Sequence, residues 1–216
     1  MPPGYGTRMS SAPTIAPTGY WAGNTAHLHH MWSPPLAAWI AEHLHGQEYM
    51  PLYDLGCGLG SYMAALRDRG FREVTGFEGE VPAHAACDNI VTQDLTLPFR
   101  VGAPGNVICL EVAEHVPAEF EDVLLDNVAN ACARSLVLSW AVRGQGGDGH
   151  VNCRNNDEAT ERICRRGFTL LEAETRAARG VITDLPWFRD TLLVFARSAS
   201  TLSQGNAGLA ERQVAK

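Results

Sequence analysis

Short apolar runs along this chain alternate with segments whose apolar positions recur every three or four residues, which predicts strands and helices in turn. Strands are expected at about Pro51 to Leu55, Glu73 to Phe77, Ile90 and Val91, then in NVICLEV, SLVLSWAV, GFTLLEA and TLLVFAR. SLVLSWAV is almost continuously apolar, as a strand covered on both faces should be. Helices are expected from Gly60 to Arg69, near Val81 to Cys87, from Pro117 onward, and from Asn155 or Asn156 to Gly167. In the helix after Pro117, Phe120, Val123, Leu124 and Val128 form one buried stripe, and the acids opposite read as solvated. Ahead of the first strand, Leu36, Trp39, Ile40 and Leu44 have helical spacing and are expected to pack on the core. Alternation of this kind predicts an α/β fold with an open, mainly parallel sheet, whose ligands bind outside the carboxyl ends of its strands.

The first of those ends is PLYDLGCGLGS, where Gly56, Gly58 and Gly60 make a strand-to-helix turn that a ligand can approach closely. A dinucleotide or S-adenosylmethionine would suit such a turn. Asp54, two residues before Gly56, would meet an ammonium group but repel a pyrophosphate. Ser61 stands where the dinucleotide fingerprint wants Gly or Ala. Glu78, at the end of the second strand, suits a ribose diol in either cofactor class.

On these residues, and on TQDLTLPF and ICLEVAEHVP further along, the chain resembles the class I S-adenosylmethionine-dependent methyltransferases from about Tyr20 to Arg197. The resemblance implies a Rossmann-like three-layer sandwich with a seven-stranded sheet and an antiparallel last strand. It also implies S-adenosylmethionine as cofactor. By the same resemblance Asp54, Gly56, Cys57 and Gly58 line the methionyl half, Glu78 holds the ribose hydroxyls, Asp94 and Leu95 meet the adenine, and Glu111 and His115 stand beside the reacting centre.

Outside those motifs, the loop RGQGGDGHVNCRNND emerges at the edge where a substrate should lie. Its His150 is the first candidate base, because an imidazole titrates near working pH; holding the loop together is the competing role for His150 and Asn152. Asp148 is a weaker candidate, and His115 competes with His150 as a catalytic group. Glu111 and Glu114 are candidates by similar logic, of which only one need be functional; accompanying a helix amino terminus is the alternative role for Glu114. Tyr20, Trp21, His29 and His30 form either a lid over the cofactor or a packing arm. Trp187 and Phe188, read as a hairpin corner, either wall the substrate pocket or simply pack there. No metal site is expected: His27, His29 and His30 lack a nearby carboxylate, and the six cysteines contain no CxxC pair.

Composition narrows the partners. Seventeen basic against 24 acidic residues give a formal charge of −7 in 216 residues, without a basic run, so a nucleic acid is not the expected partner. A small-molecule or sugar acceptor is. The Asn/Asp-Pro-Pro-aromatic motif of amino-methylating DNA enzymes is also missing, since LEVAEH stands in its place. No apolar run approaches the roughly 20 residues of a membrane span, and the first residues do not read as a secretory signal. Cysteines placed inside predicted elements suit a reduced, cytoplasmic chain. The expected organisation is a flexible tail over 1–19, one domain over 20–197 opening with a helical lid at 20–46, and a second flexible tail over 198–216. Two other functions fit parts of this pattern: a cofactor-binding subunit without catalysis, and a nicotinamide-dependent oxidoreductase.

Overall fold

The computed structural model describes residues 14–23 and 30–198. An arm comes first: β1 (Thr14–Ile15) and β2 (Trp21–Ala22) pair antiparallel. Then come α1 (Pro34–His43), β3 (Leu52–Leu55), α2 (Ser61–Arg67), β4 (Val74–Glu78), β5 (Ile90–Thr92) and β6 (Gly105–Cys109). After a 3-10 turn at Ala118–Phe120 follow α3 (Glu121–Ala131), β7 (Cys132–Ser139), α4 (Asn156–Cys164) and β8 (Phe168–Leu170). The chain closes with α5 (Glu172–Val181), α6 (Phe188–Thr191) and β9 (Leu192–Arg197).

Seven strands form one sheet in the order β5-β4-β3-β6-β7-β9-β8. Every pairing from β5 to β7 is parallel, and β9 runs antiparallel to both its neighbours. Both faces of the sheet are covered, which explains why its strands read as continuous apolar runs. Along β6, β7 and β9 the side chains alternate between two cores. Ile108, Val137 and Val194 face Leu36, Ile40, Met63, Leu66 and Ala178 of α1, α2 and α5. Val107, Cys109, Leu136, Leu138, Leu193 and Phe195 face Leu124, Leu125, Val128 and Ile163 of α3 and α4. From β3 the chain moves to β4 and β5 on one side, then returns to β6 on the other, so a crevice opens beyond the carboxyl ends of β3 and β6.

Local signals set the helix ends. Ser33 Oγ accepts from the Leu36 amide and Pro34 occupies the first turn of α1, a strong start signal. Asn155 and Glu158 form a reciprocal capping box at the start of α4.

Several sequence expectations are corrected. Val81 to Cys87 form turns and bends rather than a helix, because the segment is short and the small residues after Pro82 offer no large apolar stripe to bury. GFTLLEA is strand only over Phe168–Leu170; α5 follows it, so Trp187 and Phe188 lie at the start of α6 and not at a hairpin corner. Residues 14–19 belong to the arm rather than to a flexible tail, because β1 has β2 to pair with. The span 20–46 is not a helical lid as a unit: α1 is held on the core by fully buried Leu36, Ala37 and Ile40. Acids of α3 are not simply solvated. Glu121 is 3% exposed and bridges Arg154 and Arg162, while Asp122 and Asp126 both pair with Arg166. Residues 1–13, 199–216, His27 and His29 lie outside the described residues.

Candidate functional site

The β3–α2 turn forms because three glycines take left-handed backbone. Gly58 has φ +52°, and a Cβ there would stand 2.2 Å from His30 Nδ1; at Gly56 (φ +77°) it would stand 2.3 Å from Val112. Neither position tolerates a side chain. The turn is fastened to the next strand by Glu78, whose two carboxylate oxygens accept from the Gly58 amide at 2.8 Å and the Gly79 amide at 3.0 Å. Each oxygen retains a free lone pair for a ligand hydroxyl. Burial raises the Glu78 pKa, and those two amides partly oppose it.

Asp54 is 2% exposed at the end of β3, and its Oδ2 has no hydrogen-bond partner. Desolvation, then the charge of Glu78, pushes its pKa up to about 8. A buried carboxylate in this state is costly until a cation or donor reaches it.

Across the crevice, Glu111 follows β6 with φ +56°, an unusual backbone for a residue with a side chain. Ser139 at the end of β7 holds it there, accepting from the Glu111 amide and donating to its carboxylate. Burial raises the Glu111 pKa to about 7, against the hydrogen bonds of Ser139 and Trp187. Three residues on, Glu114 is fully buried, and neither of its oxygens makes a hydrogen bond of full geometry. Desolvation first, then Glu111, raises its pKa well above the usual range, against the approach of the Glu114 and Ala141 backbone amides. This removes the helix-end role for Glu114, since its side chain lies inside the protein.

His115 and His150 meet edge to face with centroids 5.0 Å apart, and Trp21 stands at 6.0 Å against His115. Burial, then the His150 charge, lowers the His115 pKa to about 4. The glycine-rich loop carrying His150 is tied down by Val151 and Asn152 amides donating to the Glu114 carbonyl. His150 Nδ1 lies 3.3 Å from the Gln145 carbonyl. Asn152 is structural: its side chain donates to Glu121 and its carbonyl accepts from buried Trp140.

Asp94 has more bonds than an adenine contact needs. It accepts from the Thr96 amide and hydroxyl and from the Thr18 hydroxyl at 2.8 Å, which fastens the arm to the β5 side of the crevice. Burial would raise its pKa, but those donors outweigh burial and lower it. Tyr20 lies so close to Gly79 that a Cβ there would be 2.1 Å from the ring.

These elements enclose a cavity of about 540 Å³. Every expected site residue lines it: Tyr20, Asp54, Gly56, Cys57, Gly58, Glu78, Asp94, Leu95, Glu111, His115 and His150. So do Trp21, His30, Asp148, Trp187 and Phe188. Thr18, Tyr62 and Gln93 line it too, and Ser139 supports it; sequence reasoning passed over Thr18, Tyr62 and Ser139 because they stand outside the motifs, and over Gln93 because the neighbouring Asp94 and Leu95 took the adenine role. Among the described residues the lining includes five carboxylates, Asp54, Glu78, Asp94, Glu111 and Asp148, and no Lys or Arg.

No protein-family model matches the chain, and no curated protein does. Solved structures do. A sugar N-methyltransferase from a Streptoalloteichus species matches at TM-score 0.62 and 14% identity, with 90% of this chain and 100% of that one covered. A (4+2)-cyclase matches at TM-score 0.58 and 15% identity, covering 88% of this chain and 99% of the other. The magnesium protoporphyrin IX methyltransferase of Synechocystis, with bound S-adenosylmethionine, matches at TM-score 0.54 and 23% identity over 76% of each chain. With its sheet order and antiparallel β9, the chain has the fold of the class I S-adenosylmethionine-dependent methyltransferases.

Proposed function

We propose that the chain is a methyltransferase that binds S-adenosylmethionine and transfers its methyl group to a small-molecule or sugar acceptor. The observation that carries this reading is the make-up of the cavity, with five acidic side chains, some of them held protonated by burial until a cation arrives, and no cationic side chain among its described lining. A sulfonium cofactor with an ammonium group gains from that lining, whereas the pyrophosphate of a dinucleotide is repelled by it.

In this reading Glu78 takes the ribose hydroxyls on its free lone pairs, and unpartnered Asp54 takes the ammonium beside Gly56, Cys57 and Gly58. Asp94 and Leu95 flank the adenine, and Tyr20 covers the cofactor from the arm. Glu111 borders the methyl group. His115 and His150 stand at the acceptor end, where they face the group that is methylated. Transfer is an in-line displacement: the acceptor's lone pair attacks the methyl carbon while the carbon–sulfur pair returns to sulfur, leaving a neutral thioether. Positive charge on sulfur disappears as it proceeds, so the protein gains most by alignment and exclusion of water.

The neighbours support an acceptor of this class, since one is described as acting on a sugar nitrogen and another on a protoporphyrin. A cofactor-binding protein without methyl transfer is the second reading, favoured by the neighbour described as a cyclase. Calorimetric titration with S-adenosylmethionine and S-adenosylhomocysteine tests the proposal, with Glu78→Ala as control. A dissociation constant on the order of micromolar, lost in the variant, is expected. No heat from folded protein with either ligand would overturn it.

A further inference from the structure

Glu114, His115 and His150 each offer one ligand atom, and these three atoms lie within 4.8 Å of one another. Two of the residues come from the turn after β6 and the third from the loop after β7, so only the fold assembles them. Glu114 is fully buried with neither oxygen in a hydrogen bond of full geometry, and the same holds for the buried Nδ1 of His115; only backbone groups of Ala141 and Gly149 approach them. A carboxyl group isolated in this way rests protonated, and a cation that reached it would take the place of that proton. Among the described residues the cavity lining offers no Lys or Arg to act as that cation. The nearby arginines are engaged elsewhere: Arg154 with Glu121, and Arg143 with Glu158.

We propose that these three residues bind one divalent first-row transition-metal cation in the wall of the cavity, and that this cation receives a hydroxyl oxygen of the acceptor. Two imidazoles and one carboxylate form a donor set for zinc or cobalt, whereas magnesium and calcium prefer oxygen donors throughout. Metal–nitrogen bonds of about 2.0–2.1 Å place tetrahedral ligands about 3.3 Å apart, so the three atoms must draw inward on binding. The loop is tied down after His150, at Val151 and Asn152, so the glycines ahead of His150 would have to supply the movement. They are Gly144, Gly146, Gly147 and Gly149, while Glu114 and His115 are fixed in the turn after β6.

Three protein ligands leave a coordination position open, and His115 and His150 face the cavity there. Resting on the methyltransferase reading, this assigns the acceptor to the alcohols. Coordination makes the hydroxyl more acidic, its proton passes to water, and its oxygen pair forms the bond to the methyl carbon as the carbon–sulfur bond breaks. The histidines then act on the acceptor through the cation rather than by taking the proton themselves.

The test uses the full chain freed of metal by a chelator and titrated with Co²⁺, read by its visible absorption and by calorimetry, with Zn²⁺ as competitor and Mg²⁺ as control. One Co²⁺ per chain with the intense visible bands of four-coordinate cobalt, displaced by Zn²⁺ and insensitive to Mg²⁺, is expected. His150→Ala should weaken binding at least tenfold; it lies on the loop and removes nothing from either core, so folding is retained. Glu114→Gln should do the same. Absence of stoichiometric binding, or binding unchanged in His150→Ala, overturns the site. S-adenosylmethionine titrated into the same samples separates the two claims, because its failure to bind would remove the methyltransferase reading while leaving the cobalt spectrum intact. Methylation of an alcohol at full rate in the metal-free protein would overturn the role of the cation.

Discussion

The hydroxyl of Ser139 accepts from the Glu111 amide at 2.7 Å and donates to Glu111 Oε1 at 2.8 Å, closing a ring of two hydrogen bonds between the ends of β7 and β6. It holds Glu111 at φ +56° with its carboxylate in the cavity. Ser139→Ala leaves a buried amide and a carboxylate oxygen unpaired, at a cost of about 1–3 kcal/mol. Urea denaturation should show that loss. Turnover should fall by more than cofactor affinity, because Glu111 borders the reacting centre in the proposed function.

Gly58→Ala should abolish cofactor binding. Its Cβ would meet His30 Nδ1 at 2.2 Å, and the left-handed backbone adds about 1–2 kcal/mol of strain. Adding His30→Ala relieves the clash and not the strain, so the double variant should recover part of the stability in thermal melts. A double variant no better than Gly58→Ala would show that backbone conformation alone matters.

Asp54 makes stability depend on pH. Its pKa is about 8 in the folded protein, against about 3.9 in an unfolded chain, so the folded state retains a proton that the unfolded state gives up. Its contribution is fully present below the unfolded value and is lost as pH rises toward and through about 8. Asp54→Asn should flatten the decline in urea midpoint between pH 5 and pH 8 relative to the parent, and should weaken binding of the cationic cofactor. Binding to the parent at pH 7 should release protons, visible as a dependence of calorimetric heat on buffer ionisation.

Thr18→Val removes the bond from the arm to Asp94. The arm should then close less firmly over the cofactor, raising the dissociation rate in stopped-flow measurements several-fold with little effect on the thermal midpoint. An unchanged rate would assign the arm to packing alone.

Glu121 is 3% exposed and joins α3 to the segment and helix that follow the His150 loop through Arg154, Arg162 and Asn152. Removing one partner of a buried charge network costs about 3–5 kcal/mol, and Glu121→Ala should show it in denaturant titration. A loss below about 1 kcal/mol would mean that these ions are as weakly coupled as surface pairs.

Periodicity and punctuation in the sequence determined the β-α alternation, the strands from β3 to β7, and the turn of Gly56, Gly58 and Gly60, because alternation, helical spacing and capping are short-range properties of the chain. The same local signals placed Asp54 and Glu78 correctly at strand ends. They failed where contacts come from far along the chain. Short β8 with α5 behind it, the pairing of β1 with β2, and the burial of Glu114 and Glu121 depend on what packs against each segment. Glu114, His115 and His150 meet only because adjacent strands β6 and β7 end side by side, which no spacing along the sequence encodes. Residue types and local order are written in the chain, but the desolvation and proximity that give buried groups their chemistry arise only when the sheet brings its strand ends together.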